Sequence, residues 1–457
     1  MLTMNSRRTF LKNSGILAAG MGLPHLFTEE IAATPAFSTK KVAPSDRVNL
    51  GIIGVNMGGD DLRGALSANN FAHCIAVCDV NRQRRAERVA LFKQNHPNQT
   101  QQITEYDDFR KLLENKDVDG VICAAPDHWH AYIFNEVLKS GKAAYTEKPI
   151  ANSIDECNKM IGWQNKHKRV VTTGLWQINQ PYFMKAFEIL KTGVLGDVYK
   201  VHAFLCQGTG PRATVENTPA PDYLDYEMWL GPAPARPHNP TRVSSWRTFW
   251  DYGGGQQTDW GVHWLDSAFD GLKALGMNDR TFPKSIYSVA YRHPQSFNET
   301  PSCQTTIYEY EKFHVLWDIQ VANLYGCNQG VAWIGSNATL VCNREGLQLI
   351  PQRSSRPAAN ATPIEPIDEP IPRKYEDGIP AHTVNWLECI RNNNIQTSSP
   401  IEKGVFASIL AHAGNISFRT GMKVTYDHET KRFVNNPAAD AYLRPLYRKP
   451  WDSMWNE

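Results

Sequence analysis

Long hydrophobic runs are missing from this 457-residue sequence. The one candidate, GILAAGMGL near the N-terminus, is too short and too broken by Gly and Pro24 to span a bilayer, which takes about 20 apolar residues. Charge of one sign is missing too: the formal net charge is +2, and nothing global points to nucleic acid. C-x-x-C pairs are absent, which removes a metal knuckle, and the nine cysteines are an odd number. Cys74, Cys78 and Cys123 fall in apolar runs that read as buried strands, so reduced core residues are expected rather than bridges. No internal repeat is present. What remains is the composition of a soluble globular protein, 42% hydrophobic and 21% charged, long enough for two domains. The 13 Trp and 17 Tyr suit aromatic-lined surfaces as well as cores.

The first 36 residues read as a separate object. Ser6-Arg7-Arg8-Thr9-Phe10-Leu11-Lys12 has the pattern of a twin-arginine signal, followed by the modest apolar run and by small residues around Ala32 to Ala36. The competing reading is a basic amphipathic N-terminal helix. A signal predicts export of an already folded chain through the twin-arginine translocon to the periplasm, which also agrees with unbridged cysteines. Residues 37–46, FSTKKVAPSD, read as a linker.

The stretch VNLGIIGVNMGG, Val48 to Gly59, reads as a buried parallel strand over Val48 to Val55 running into a glycine turn and then a helix. Orphan amides at such a helix start favour a pyrophosphate. In the G-x-G-x-x-G spacing, Gly54, Asn56 and Gly59 hold the three places, with Gly58 beside the third. Asn tolerates positive φ better than most residues, so Asn56 is expected to make the turn while narrowing the approach to the phosphates. Twenty residues beyond Gly59, the run CIAVCDV ends in Asp79, placed to take ribose hydroxyls and to favour NAD over NADP. Arg82 and Arg84 nearby suit a 2′-phosphate, and a plain turn-capping role for Asp79 is the alternative.

From Arg47 to Thr173 strands alternate with helices: further strands at Cys74 to Asp79, Val118 to Ala125, Ala143 to Thr146 and Val170 to Thr173, with helices at Arg82 to Gln94, Tyr106 to Asn115, His130 to Ser140 and Ile154 to His167. This is the pattern of a doubly wound parallel sheet, and Gly141 suits a helix C-terminus. After Gly174 a helix from Pro181 to Thr192 is followed by extended runs without helices between them, which predicts a large, mostly antiparallel sheet with one face open to a partner or subunit. Residues 207–255 form a long Pro-, Gly- and aromatic-rich segment of functional or covering character, and Pro351 to Pro380 reads as exposed loop. Helices close the chain near Ala381 to Asn392 and Gly404 to Thr420.

Three clusters carry candidate chemistry. Glu147-Lys148-Pro149 follows the fourth strand, at the carboxyl edge where open α/β sheets bind ligands, and a lysine there can bridge a substrate hydroxyl. A surface turn is the plain alternative. In GGGQQTDWGVHWLD, a helix from about Thr258 puts Asp259 and His263 at i and i+4, a carboxylate beside an imidazole as an oriented general base. A buried histidine with a helix-capping aspartate fits the same spacing, and so, less well, does a metal site with Asp266. Pro126-Asp127-His128-Trp129-His130 reads as a loop of cofactor packing or helix capping.

The glycine turn, Asp79, A-P-D-H-W-H, Glu147-Lys148-Pro149, Leu195-Gly196-Asp197 and Asp259-x-Gly261-x-His263 occur in an order that resembles the Gfo/Idh/MocA oxidoreductase family. With D-Y-E-M-W-L-G-P-A-P at Asp225 to Pro234 and W-D-Y-G-G-G at Trp250, the likeness is to its exported bacterial branch and spans roughly residues 47–450. The resemblance implies a Rossmann domain over 47–173, an α/β domain with an open sheet over 174–440, a tail over 441–457, and homo-oligomer contacts. It makes Lys148, Asp259 and His263 catalytic and implies cofactor contacts at Gly54, Asn56, Met57, Gly58, Gly59, Asp79, Ala125, Pro126, His128, His130, Glu147 and Lys148. Ile178 stands where many relatives carry Arg, so a polar substrate contact is absent or supplied elsewhere. Trp176, Gln177 and Trp246 are candidate substrate contacts, and Trp229 and Trp250 join Trp246 in a candidate wall. The function expected is NAD-dependent oxidation of a sugar, cyclitol or glycoside; a redox-assisted glycosidase and a non-catalytic binding protein are the rivals. No resident metal is expected.

Overall fold

The structure is a computed structural model that describes residues 42–43, 46–56, 71–96, 102–320, 327–352, 364–370 and 378–456. The expected leader, most of the linker, and Met57, Gly58 and Gly59 lie outside the described residues. Among the described residues no helix is long and apolar enough to cross a membrane, and none of the nine cysteines is in a disulfide.

Six strands form the first sheet: β1 (Val48–Ile53), β2 (Ala72–Cys78), β3 (Thr104–Tyr106), β4 (Gly120–Cys123), β5 (Ala143–Thr146) and β6 (Val171–Thr173), all parallel in the order β3-β2-β1-β4-β5-β6. Leu50 and Ile52 are buried on one face of β1 and Ile53 on the other, as a strand covered on both sides requires. Strand order reverses between β1 and β4, which opens a crevice at their carboxyl ends. Local boundaries differ from expectation for identifiable reasons. β1 stops at Ile53 because Gly54, at φ +85°, turns the chain and Val55 is already helical. β3 is a short, largely polar edge strand that ends at Tyr106, where the helix is expected to start, and the helix Phe109–Glu114 begins only after Asp108 caps it through the Arg110 amide. Asp-His-Trp-His is not a loop: Pro126 is the N-cap of the helix Asp127–Lys139. Gly141, at φ +85°, ends that helix as expected.

The second sheet has eight strands: β7 (Val198–Leu205), β8 (Ser285–Tyr291), β9 (Cys303–Glu309), β10 (His314–Ile319), β11 (Gln329–Gly335), β12 (Ala338–Asn343), β13 (Gly346–Pro351) and β14 (Ile367–Pro370). Their order is β14-β13-β12-β11-β7-β10-β9-β8, antiparallel except where β7 meets β10. β14 lies in the stretch expected to be loop, because main-chain pairing with β13 overrides its polar, Pro-rich composition. The helices Pro181–Lys191, Gly261–Ala274 and Ile401–Thr420 cover one face. The other exposes Tyr287, Val289, Tyr291 and Ile307.

Ile401–Thr420 packs against both halves: against Gly261–Ala274 and β8 on one side, and against Ile154–His167 and β6 on the other. Glycines allow it, since a Cβ on Gly404 would lie 2.7 Å from Ile150 and 2.8 Å from Thr173. Charge fixes its position. Lys403 Nζ lies 3.3 Å from Asp266 and 2.8 Å from Asp270, both of which also pair with Arg280. All four side chains are at most 13% exposed, so each carboxylate depends on both cations. Lys403→Met, of similar length without the charge, is expected to lower the unfolding free energy by about 3–5 kcal/mol; a urea titration showing a change below about 1 kcal/mol would mean that the buried network is dispensable.

Candidate active site

The crevice at the ends of β1, β2 and β4 is lined by Gly54, Asn56, Asp79, Ala125 and Pro126, and on its far side by Trp229, Trp246 and Arg247. Gly54 makes it: besides its positive φ, a Cβ there would lie 2.5 Å from the Ala124 carbonyl oxygen, so only glycine lets β1 and β4 end side by side. Asp79 accepts hydrogen bonds from the amides of Val55 (3.1 Å) and Asn81 (2.8 Å). It therefore holds the turn and lines the crevice at once; each carboxylate oxygen has a second lone pair for a hydroxyl. Burial pushes its carboxyl up, against these amides and Arg84 and Arg85. The left-handed residue is Gly54, not Asn56, which has entered the helical turn and accepts from Arg88 Nη2 at 2.9 Å. Arg84 lines the crevice, whereas the Arg82 amide donates to the Tyr223 carbonyl. A glycine-gated crevice beside a carboxylate fits a dinucleotide.

Beside this crevice, Lys148, directly after β5, donates from Nζ to Asp259 Oδ1 at 2.7 Å and to the Asp259 carbonyl at 2.8 Å. Arg247 Nε lies 3.1 Å from the same Oδ1, its guanidinium stacked 4.2 Å from the Trp246 ring centroid. Burial pushes the Asp259 carboxyl up, but Lys148 and Arg247 outweigh it and hold the pKa at about 2. Asp259 ends the short helix Gln256–Asp259, and Trp260, also helical in backbone, leads into Gly261–Ala274. His263 thus keeps its i+4 relation to Asp259, but the two side chains do not bond to each other. His263 Nδ1 is buried without a hydrogen-bond partner, and the ring is held instead by Trp176 and Trp260, at centroid distances of 6.0 and 6.3 Å. Burial, with the positive charges of Lys148 and Arg344, holds the imidazole well below its ordinary pKa and therefore neutral.

Several expected contacts have other work. His128 is buried, with Nε2 3.1 Å from the Trp229 carbonyl. The ring nitrogens of His130 lie 2.6 Å from the Pro149 carbonyl and 2.7 Å from that of Ala125, tying together the turns after β4 and β5. Neither histidine lines the crevice. Glu147 is buried and accepts from the Lys148 amide at 3.2 Å; burial pushes its carboxyl up, against Lys148. A Cβ on Gly174 would lie 2.2 Å from Glu147 Oε1, so that glycine makes room for the carboxyl that supports Lys148. Gln177 is 1% exposed, donating to Ser267 Oγ (2.7 Å) and accepting from Arg344, so both ends of its amide are engaged within the protein. Trp229 and Trp246 line the dinucleotide crevice, while Trp250 stacks under Arg419, so the three do not form one substrate wall. Asp266 belongs to the ion network with Lys403 and Arg280, which removes it from any ligand set with Asp259.

Arg247 and Arg344 are the site residues that the sequence reading missed. Arg247 sits in an unpatterned aromatic segment. Arg344 lies in the turn between β12 and β13, where only the folded sheet brings it near His263.

Comparison with known proteins agrees with this architecture. Residues 48–175 match the family model described as oxidoreductase family, NAD-binding Rossmann fold, and residues 193–312 match that described as oxidoreductase family, C-terminal alpha/beta domain. A glycosyl hydrolase family 109 protein of Shewanella pealeana is 32% identical over 169 residues, 34% of this chain and 36% of that protein. The inositol 2-dehydrogenase of Salmonella typhimurium is 29% identical over 154 residues, covering 33% and 44%. The chain thus spans about a third of the length of the glycosyl hydrolase family 109 relatives it matches. Among solved structures, levoglucosan dehydrogenase in complex with NADH and levoglucosan matches at a TM-score of 0.61 and 16% identity, over 83% of this chain and 99% of that one. The WlbA dehydrogenase of Bordetella pertussis, in complex with NADH and UDP-GlcNAcA, matches at 0.59 and 14%, with the same coverage. Two adjoining domain models of one family, on a chain with both of the corresponding sheets, place this protein in the Gfo/Idh/MocA oxidoreductase family.

Proposed function

We propose that the protein oxidises a hydroxyl of a sugar, cyclitol or glycoside with a tightly held NAD. The observation that carries this reading is the Lys148–Asp259 pair at 2.7 Å beside the neutral His263, at the carboxyl edge of β5 and next to the dinucleotide crevice. Gly54, Asn56 and Asp79 would hold the pyrophosphate and ribose end, with Ala125 and Pro126 along the crevice. When bound, NAD supplies the hydride acceptor. Neutral His263 takes the hydroxyl proton, and Lys148 donates to the substrate oxygen and steadies its growing negative charge. Asp259, kept ionised by Lys148 and Arg247, holds the lysine in place.

A second reading, oxidation followed by cleavage of a glycosidic bond and reduction back, is favoured by the glycosyl hydrolase family 109 relatives. The twin-arginine pattern supports export of the folded protein to the periplasm, where a retained cofactor suits scarce free nucleotide. The exposed apolar residues of the second sheet, Tyr287, Val289, Tyr291 and Ile307, support a homo-oligomer.

Protein purified with its NAD and mixed with sugars and chromogenic glycosides should show nicotinamide reduction. Aglycone release with sustained turnover and no net reduction selects the glycosidase reading, and neither signal overturns both. Lys148→Ala is expected to lower kcat/KM by about 10²–10⁴-fold with an unchanged circular dichroism spectrum; near-normal activity removes Lys148 from the mechanism. A depressed imidazole stays an effective base below its ordinary pKa of 6.5. The acid limb of kcat/KM should therefore fall below pH 6.5, and a midpoint at or above that value contradicts the role given to His263.

A further inference from the structure

The dinucleotide crevice has two walls of different kinds. One is the carboxyl edge of the first sheet, with Gly54, Asp79 and Ala125. The other, with Leu224, Met228 and Trp229, belongs to a segment that lies in neither sheet, between β7 and β8. The helix of this segment, Tyr226–Leu230, has only five residues, too few to hold itself together in water. The wall is therefore as firm as its two ends. At the first end it is stitched to the turn after β2: the Arg82 amide donates to the Tyr223 carbonyl at 2.9 Å, and the Asp225 amide donates to the Val80 carbonyl at 3.0 Å. Between these bonds lies Asn81, whose own amide donates to Asp79.

At the second end the wall is held by the C-terminal tail. Arg448 donates from Nε to the Gly231 carbonyl at 2.6 Å, from Nη2 to the Glu227 carbonyl at 2.8 Å and from Nη1 to the Glu227 carboxylate, while its amide donates to the Pro232 carbonyl at 3.1 Å. A cation on the carbonyls at a helix C-terminus meets the negative end of the helix dipole. Three residues on, Trp451 meets the Trp129 ring edge-on, with centroids 4.9 Å apart. Trp129 lines the crevice and donates from Nε1 to the Trp229 carbonyl at 3.2 Å. Gly231, at φ +47°, passes so near that a Cβ there would lie 2.0 Å from the Trp129 ring. Neither Arg448 nor Trp451 lines the crevice, so both act on it through the wall.

Resting on the reading that NAD is tightly held in this crevice, we infer that the C-terminal tail is the clasp that retains it, with Arg448 as a positioning residue for the wall. Leu224 bridges Asn81 beside Asp79, so the wall stands next to the carboxylate assigned to the ribose. Release of the nucleotide requires the wall to give way locally, and each bond that Arg448 makes to it opposes that opening.

The test loads the full chain with NADH, mixes it with excess NAD and follows the fall in tryptophan-sensitised NADH fluorescence as a dissociation rate. Arg448→Met is expected to release NADH about 10-fold faster than wild type or more, because charge-assisted hydrogen bonds are lost from the wall. Arg448→Lys, which keeps the charge and part of the bonding, should fall between the two and guards against misfolding of the methionine variant. Arg444→Met controls for loosening of the tail as such: Arg444 pairs with Asp155 at 3.0 Å and stacks 4.4 Å from the Trp455 ring centroid, both away from the wall. It should release NADH at the wild-type rate. A rate for Arg448→Met within about 2-fold of wild type overturns the inference and leaves the oxidoreductase reading standing. Equal acceleration by Arg444→Met also overturns it, since the tail would then act only on the fold. Fast release from wild type, with Arg448→Met faster still by the expected ratio, upholds the role of Arg448 while overturning tight retention. No NADH binding by wild type overturns both.

Discussion

The contact on which the site depends is the ion pair between Lys148 and Asp259, residues 111 apart in sequence. One belongs to the turn after β5 of the first sheet, the other to the helical segment that covers the second. A pair this buried contributes little net stability, because removing two charges from water offsets most of their attraction. Its value is geometric. Nζ is held by both the carboxylate and the carbonyl of Asp259, so a small shift between the two sheets would misplace it, and the packing around the site limits such shifts.

That packing is arranged in successive supports. Glu147 and Gly174 set the lysine turn, and His130 ties it to the end of β4. Arg247 shares Asp259 and at the same time walls the dinucleotide crevice, so one side chain couples cofactor and reacting group. The helix Ile401–Thr420 joins both halves from behind, and the Lys403 network fixes it to the helix bearing His263. Carboxylates buried here either hold cations, as Asp259 does, or sit where burial favours the neutral acid, as Asp127 does. His263 follows the same rule with the opposite sign, since burial and neighbouring cations keep a base uncharged.

Much of this was legible in the chain, because apolar periodicity and glycine placement are local properties. The strands of both sheets, the helix Ile154–His167 at both ends and the turn at Gly141 follow from hydrophobic spacing and punctuation. β3 and β14 do not, since both are short, polar edge strands whose stability comes from pairing with a neighbour. Asp-His-Trp-His misled for a related reason: its polarity suggests a loop, yet it opens a helix in which His128 Nε2 and Trp129 Nε1 both reach the Trp229 carbonyl, about 100 positions away.

The sequence by itself determined the strand–glycine–helix cradle with Asp79, the lysine turn after β5, and the i, i+4 spacing of Asp259 and His263. Each is written in consecutive residues. Only the tertiary structure decided who partners whom. It gave the Asp259 carboxylate to Lys148 and Arg247 rather than to His263, withdrew His128, His130 and Gln177 from the cavity, and brought Arg344 against the indoles that hold His263. The physical reason is that hydrogen bonds and ion pairs are settled by distance and burial in the folded state, and no local periodicity encodes either between residues a hundred positions apart.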